Sequence, residues 1–456
     1  MPLRESGLFF ELALLPDGWA RDVRIGVAAD GRIASVEAQN AARPGDARHR
    51  CALPGMANLH SHAFQRAMAG LTETRGPSGD SFWTWRDVMY RFVDRLTPDD
   101  VQAIAALAYA EMLESGFTRV GEFHYLHHDA DGRPYADRAA MSAAIAAAAT
   151  RSGIALTLLP VFYAHADFGG APPQPGQRRF IHDIDGYAAL LEGARRAAAD
   201  LPDAIVGIAP HSLRAVTPDE LDALQRLAPA GPIHIHIAEQ MREVEACLAW
   251  SGQRPVAWLL DHAQVDARWC LVHATHMTDD EARAMAASGA VAGLCPITEA
   301  NLGDGIFPAA PFLAAGGAYG IGSDSNVRID MTEELRLLEY GQRLAARGRN
   351  LLATAPGRST GMDIHAAALA GGAQALGATA GLAPGCSADL VSLDLDHPSL
   401  AAAGTPNLLD GLIFSAGRAA IDGVWRRGEQ VVTGGRHRDR ATIAARYNAT
   451  IARLRA

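Results

Sequence analysis

No lysine occurs anywhere in the chain, so all 41 basic residues are arginine. That absence excludes a Schiff-base lysine, a phosphate-loop lysine and a carbamylated lysine bridging two metals. Cysteines are few and scattered: Cys51, Cys247, Cys270, Cys295 and Cys386, odd in number and without C-x-x-C spacing. They read as free thiols of a reducing compartment, not as a disulfide framework. No run approaches the ~20 uninterrupted apolar residues that span a bilayer. The opening stretch breaks its apolar residues with acids and lacks a small-residue cleavage site. The expectation is a soluble, cytoplasmic protein. Positive charge is short as well, with 41 basic against 51 acidic residues and a net charge of −10. A general binder of nucleic acid or anionic membrane would want the opposite sign, so neither is expected as a partner.

What is present is an ordinary globular composition, 49% hydrophobic and 20% charged over 456 residues. That length suits several domains or one large barrel with an appendage. Both ends have β texture. Leu8–Leu15 and Val23–Ala28 are apolar runs, and Asp30-Gly31 before Arg32–Val36 reads as a hairpin turn. Near the other end, Ala388–Leu395 and Leu412–Ser415 read as strands, Gly423–Val424 leads into Glu429–Val432, and a polar helix is expected at Arg440–Leu454. The termini are expected to pair into one small β domain, from residues 1–53 and 381–456.

The middle, 54–380, alternates short apolar runs with stretches of helical period. The runs are Ala57–His62, Thr118–His124, Ile154–Phe162, Ile205–His211, Ile233–Ala238, Cys270–Thr275, Val291–Pro296 and Tyr319–Ser323. Between them lie Asp99–Glu114, Tyr187–Asp200, Asp219–Leu227 and Asp279–Ala287. Eight runs with intervening helices fit an α/β fold of the (β/α)₈ type. The open doubly wound sheet is disfavoured, because no G-x-G-x-x-G follows the first run.

Four run ends carry side chains that bind metals. Run one ends Asn58-Leu59-His60-Ser61-His62, and alternation along a strand puts both imidazoles on one face. Run five reads His234-Ile235-His236-Ile237-Ala238-Glu239, run six has His273 and His276, and run eight ends Gly322-Ser323-Asp324. In a barrel these C-terminal strand ends meet at one mouth. Three imidazoles and one carboxylate on a mononuclear centre suit one Zn²⁺ per subunit, with Fe²⁺ the alternative. A lone strand-end histidine is more often structural, but chance does not readily place His or Asp at four such ends. Period alone leaves His234 and His236 equal as ligands.

The stretches PGMANLHSH, HIAE, VHATH, GSDS and GCSADLVSLDL together resemble the mononuclear deaminase branch of the amidohydrolase superfamily. Within it, NLHSHAFQRAMAGLTE, FWTWRD, GEFHYLHHD, APHSLRAV, LCPITEANLGDGIFP and GSDSNVRIDMTEELRLLEYGQRL resemble the formimidoylglutamate deiminases. The resemblance implies a TIM-like barrel carrying a β-sandwich made by both termini, and a homodimer. It implies metal ligation by His60, His62, His236 and Asp324, the H-x-x-E motif fitting only His236 to Glu239. Glu239 then shuttles protons, His273 lies beside the attacked carbon, and Asp324 takes the water's proton. The implied reaction is hydrolysis of N-formimino-L-glutamate to N-formyl-L-glutamate and ammonia in histidine degradation.

Such a substrate carries two carboxylates, which call for forked, permanently charged partners. The resemblance supports Gln65, Arg86, Tyr125, His211 and Arg214 as its contacts, and Arg328 less clearly. Glu299 is expected to position an arginine or to touch substrate. His124, His127 and His128 are read as structural. Phe82, Trp83 and Trp85 read as lid packing or dimer contact. A ring deaminase of the same branch is the alternative, for which neutral, stacking groups should replace the arginines. A barrel that had lost catalysis should have lost its ligands.

Overall fold

The computed structural model describes residues 6–76 and 81–456. Four strands come first: β1 (Ser6–Leu15), β2 (Gly18–Val27), β3 (Ile33–Glu37) and β4 (Ala47–Pro54). The barrel strands follow: β5 (Met56–Ser61), β6 (Phe117–His124), β7 (Ala155–Phe162), β8 (Ile205–Val206), β9 (Ala209–Pro210), β10 (Ile233–Ile237), β11 (Trp269–His273), β12 (Val291–Leu294) and β13 (Ala318–Ile321). Last come β14 (Leu390–Leu393), β15 (Ile421–Arg426), β16 (Glu429–Thr433) and β17 (Arg436–His437).

Parallel pairing runs β5-β6-β7-β8 and β10-β11-β12-β13, with β9 also on β7. Two seams close the ring. Single bridges Ile208–Ile233 and Ser212–His236 join β9's flanks to β10, and Ser61–Asp324 joins the end of β13 to β5. The result is a (β/α)₈ barrel. Its fourth strand is in two pieces with Gly207 between them, where a Cβ would lie 2.4 Å from the Pro232 carbonyl oxygen. The expected run Ile205–His211 is therefore two short pieces.

Three of the barrel helices open with the same device. Thr97 with Asp100, Thr217 with Glu220 and Thr278 with Glu281 form reciprocal capping boxes ahead of Pro98–Glu114, Pro218–Leu227 and Asp279–Ser288. Each satisfies two otherwise orphaned backbone donors. The C-terminal end of helix Thr360–Ala375 plugs the barrel floor: His234 Nε2–H donates to Ala375 O at 2.7 Å, and Thr157 Oγ1 donates to Leu376 O at 3.2 Å.

Both chain ends meet in one eight-stranded sheet, ordered β17-β16-β15-β14-β4-β1-β2-β3. It has a core of its own, with Phe10, Val23, Ile25, Leu390 and Trp425 buried together. Its other side, with Leu12, Leu53, Val391 and Val424, joins the barrel core. The expected strand Leu412–Ser415 is instead helical, continuing Leu408–Gly411 into one wide turn over Leu412–Ala416. Buried Leu408, Leu409, Leu412 and Ile413 recur at helical spacing, a pattern invisible in a four-residue window. Among the described residues, no helix is long and apolar enough to cross a membrane.

Candidate metal centre and substrate pocket

The two seams of the barrel are where the donors gather. At the β13–β5 seam, Asp324 N donates to His60 O and His62 N donates to Asp324 O, each at 2.9 Å. This backbone exchange sets the Asp324 carboxylate beside both imidazoles. At the β9–β10 seam, His236 N donates to His211 O at 3.0 Å. Several of these strand ends turn through left-handed backbone that non-glycine residues seldom adopt: φ is 50° at Ala238, 68° at His273 and 43° at Asp324. Such strain collects where side chains must be aimed.

His60, His62, His236 and Asp324 are 0, 4, 6 and 5% exposed, so their donor atoms are cut off from water. Nε2 of His60 lies 3.2 Å from Nε2 of His62 and 3.0 Å from Nε2 of His236. Asp324 Oδ1 is 3.5 Å from the first and 3.3 Å from the second. The tautomers are set from behind: His62 Nδ1–H donates to Phe123 O at 2.7 Å, and His236 Nδ1–H donates to His211 O at 3.1 Å. Both rings therefore aim bare Nε2 lone pairs at the same point. Bonds of about 2.0–2.2 Å to a four- or five-coordinate ion would set neighbouring donors about 2.8–3.6 Å apart. The four atoms fit that edge length, and a metal ion satisfies lone pairs that cannot satisfy one another. Burial pushes His60 down to about 3, so this ring stays a neutral donor.

His234, the rival to His236, faces the floor and is spent on Ala375 O. An asparagine–serine network holds the aspartate loop. Asn58 Oδ1 accepts from Ser323 N at 3.0 Å, and Ser323 Oγ donates to Asn326 Oδ1 at 2.6 Å. Asn326 Nδ2 reaches Ser61 Oγ, His62 O and Asp324 O at 2.9–3.1 Å.

His273 stands among carboxylates, with Nδ1 3.3 Å from Glu299 Oε1 and Nε2 3.6 Å from Glu239 Oε1 and 3.8 Å from Asp324 Oδ2. Burial alone would lower its pKa, but Glu239 and Glu299 outweigh burial and raise it well above the ordinary value. Burial raises Glu239 to about 7, poised to give or take a proton near neutrality. Glu243 steadies the Glu239 loop by accepting from Ala238 N at 3.1 Å and Glu239 N at 3.2 Å. Glu299 also accepts from Cys295 N at 2.8 Å, so it orients His273 and does not position an arginine.

Above these groups a small cavity is walled by Gln65, Arg86, Tyr125, His211 and Arg214, with Phe82, Trp85, Tyr163 and Phe180 closing its sides. Gln65 Nε2 donates to Tyr125 Oη at 2.8 Å, leaving Gln65 Oε1 buried and unpartnered. The Nε atoms of Arg86 and Arg214 are likewise buried without a hydrogen-bond partner. Burial and the nearby Arg214 keep His211 neutral, well below its ordinary pKa. All five substrate candidates are thus brought together. Arg328 is not among them: it is exposed and pairs with Asp330 at 3.1 Å.

Away from the pocket, His124 meets His127 edge-on and His127 and His128 pack against His182, and the three are bonded to Ser142, Val161 O and Ile181 O. Among the described residues, the groups of three or more donors close enough to hold a metal all fall at the barrel mouth.

A family model described as the amidohydrolase family matches residues 51–431. The chain belongs to the amidohydrolase family. A second model, for the N-terminal domain of formimidoylglutamate deiminase HutF, matches residues 7–50. The formimidoylglutamate deiminase of Pseudomonas aeruginosa is 53% identical over 95% of this chain and 96% of its own. The 8-oxoguanine deaminase of the same organism is 29% identical over 94% of each. Among solved structures, an amidohydrolase from Brucella melitensis superposes with a TM-score of 0.96 at 56% identity, covering 99% of this chain and 100% of that one. An adenosine deaminase from Xanthomonas campestris, at 23% identity and a TM-score of 0.82 over 99% and 98%, shares the fold.

Sequence reading of this amidohydrolase missed Asn326, Glu243 and Asp304. Asn326 follows GSDS directly, and Glu243 lies four residues past the Glu239 it supports, so spacing was the available signal. Asp304 had no such mark. Loop 303–308 carries it to within 4.8 Å of Glu239 and His273, where burial raises it to about 9.

Proposed function

We propose that this amidohydrolase hydrolyses N-formimino-L-glutamate to N-formyl-L-glutamate and ammonia, a step of histidine degradation, as a cytoplasmic homodimer with one zinc per subunit. The observation that carries the reading is one pocket holding both a four-donor centre and two arginines, buried Arg214 and half-buried Arg86, whose buried Nε atoms have no hydrogen-bond partner. A dicarboxylate needs such arginines, and a neutral nucleobase does not. The P. aeruginosa formimidoylglutamate deiminase, alike over nearly all of both chains, supports it.

His60, His62, His236 and Asp324 would hold the ion. Zinc bound by such a set supplies hydroxide at neutral pH. Arg86 and Arg214 fork the two carboxylates, while Gln65, Tyr125 and His211 complete the grip by hydrogen bonds. The formimino carbon then lies over the floor, next to His273. Asp324 takes a proton from the attacking water, and His273 donates to the developing oxyanion. Asp324 and Glu239 between them pass both of the water's protons to the terminal =NH nitrogen, one on attack and one from the added hydroxyl on collapse, so that the C–N bond breaks with ammonia as the leaving group. Water's oxygen remains on carbon as the formyl group, which balances the reaction. Residues 54–380 form the catalytic barrel, and 1–53 with 381–456 form the terminal β domain.

Ammonia release from N-formimino-L-glutamate by the zinc-loaded enzyme, with cytosine, guanine and adenosine run alongside, tests the reading. Release from the formimino compound alone is expected. Release from a ring and none from the formimino compound would overturn it.

A further inference from the structure

Three guanidinium groups converge on one indole beside the pocket. From the Trp83 ring centroid, Arg242 Cζ lies 4.4 Å away, Arg86 Cζ 4.5 Å and Arg214 Cζ 5.8 Å. The three are therefore held within about 10 Å of one another, a Debye length at 0.1 M salt. Several arginines near the barrel are held by carboxylates, as Arg66 is by Glu111, Arg254 by Glu281 and Arg426 by Asp203, while fully buried Arg179 is held by backbone carbonyls. Among the described residues, Arg86, Arg214 and Arg242 have no such partner.

Arg86 and Arg214 line the pocket, and Arg242 does not. It is exposed, three residues beyond Glu239, in the first turn of helix Met241–Ser251. A cation there opposes the helix dipole and adds to the positive potential. Nothing in local stability calls for it. The whole molecule carries −10, so a substrate with two carboxylates and a net negative charge approaches against the mean field. Three cations gathered beside the pocket supply local positive charge against that background, opposite the nearby carboxylates Glu239 and Glu243.

We propose that Arg242, seated on Trp83, is an outer capture residue for the substrate's carboxylates, drawing in a dicarboxylate that Arg86 and Arg214 then bind. Trp83 serves as the plate that keeps the guanidinium groups together by cation–π contact. Arg242 does not reach the reacting atoms, so its contribution lies in association. The inference rests on the proposed substrate class, and its tests separate the two.

The first test compares wild type, Arg242→Gln and Arg242→Lys for kcat and KM with N-formimino-L-glutamate at low and high ionic strength. Arg242→Gln should lower kcat/KM about fivefold to tenfold at low salt, hold kcat within about twofold, and converge with wild type at high salt. Arg242→Lys, which keeps the charge, should recover most of the loss. Unchanged kcat/KM and salt slope in Arg242→Gln, or an equal loss in kcat, would overturn the proposal.

A second test needs no turnover: calorimetric titration with glutarate, a bare dicarboxylate. Binding several-fold weaker in Arg242→Gln supports the capture role even where wild type releases no ammonia, an outcome that sinks the proposed reaction alone. Equal binding in the two proteins overturns the capture role.

Discussion

Two backbone carbonyls decide how two imidazoles present themselves. Phe123 O and His211 O each accept an Nδ1–H, so His62 and His236 can offer only Nε2. The Asp324 carboxylate has a comparable keeper in Asn326, whose amide ties three backbone and hydroxyl oxygens of the loop together. Asn326→Ala should weaken metal retention or activity about 10- to 100-fold, measured by competition with a chelator. Chelator resistance equal to wild type with full activity would contradict that role. Glu239→Gln should lose about 10²–10⁴-fold in kcat while keeping a full complement of metal by elemental analysis, because the amide cannot carry the proton. Metal loss in that variant would show that Glu239 holds the ion. At this scale the sequence spoke clearly wherever two ligands shared a short motif, as in His60-Ser61-His62. It was silent on Asp304, whose place depends on a loop that periodicity does not describe.

Element by element, legibility followed length. Helices of ten or more residues with a Thr-x-x-acid start were readable to within a few positions, because cap and apolar period agree. Leu412–Ser415 was misread because four apolar residues fit either period. The fourth barrel strand looked continuous because its residues are apolar on both sides of Gly207. Crowding at another glycine gives a stability prediction. At Gly320 of β13, a Cβ would lie 2.5 Å from Leu59 Cδ2 and 2.7 Å from the Gly372 backbone nitrogen. Gly320→Ala should therefore cost about 1–3 kcal/mol in chemical denaturation, since helix Thr360–Ala375 cannot retreat from the barrel floor. An unchanged midpoint would show that the helix yields.

For the whole molecule, the junction between barrel and terminal sheet is a buried ionic knot. Arg426 pairs with Asp389 of the sheet side and with Asp203 of the barrel side, and Arg119 of β6 meets the same Asp203 at 3.1 Å. Removing one partner leaves buried charge uncompensated, so Arg426→Met should cost about 3–5 kcal/mol. Its unfolding curve should fall as one transition if the two units are coupled through this knot, and two separated transitions would localise the damage. The histidine cluster supplies a pH dependence. Burial first, then neighbouring imidazoles and Arg138, holds His182 near about 3, and burial holds His124 near about 4. Unfolded imidazoles take protons near 6.5. Their contribution is thus complete above that value and is lost as pH falls toward about 4, because the unfolded chain binds more protons. The thermal midpoint should drop across that interval, and His182→Gln should flatten the drop.

The eight-stranded sheet has a consequence for biosynthesis. β4 hydrogen-bonds to β14, which lies more than three hundred residues later in the chain. Until the ribosome has delivered β14, the nascent N-terminal ribbon carries an open, apolar strand edge, the kind of template on which chains aggregate. Asp324 comes from the last barrel strand, so the ion-binding set is also incomplete for most of translation. Metal capture and edge closure are therefore late events. A chain arrested before residue 388 should be recovered in aggregates or with a chaperone.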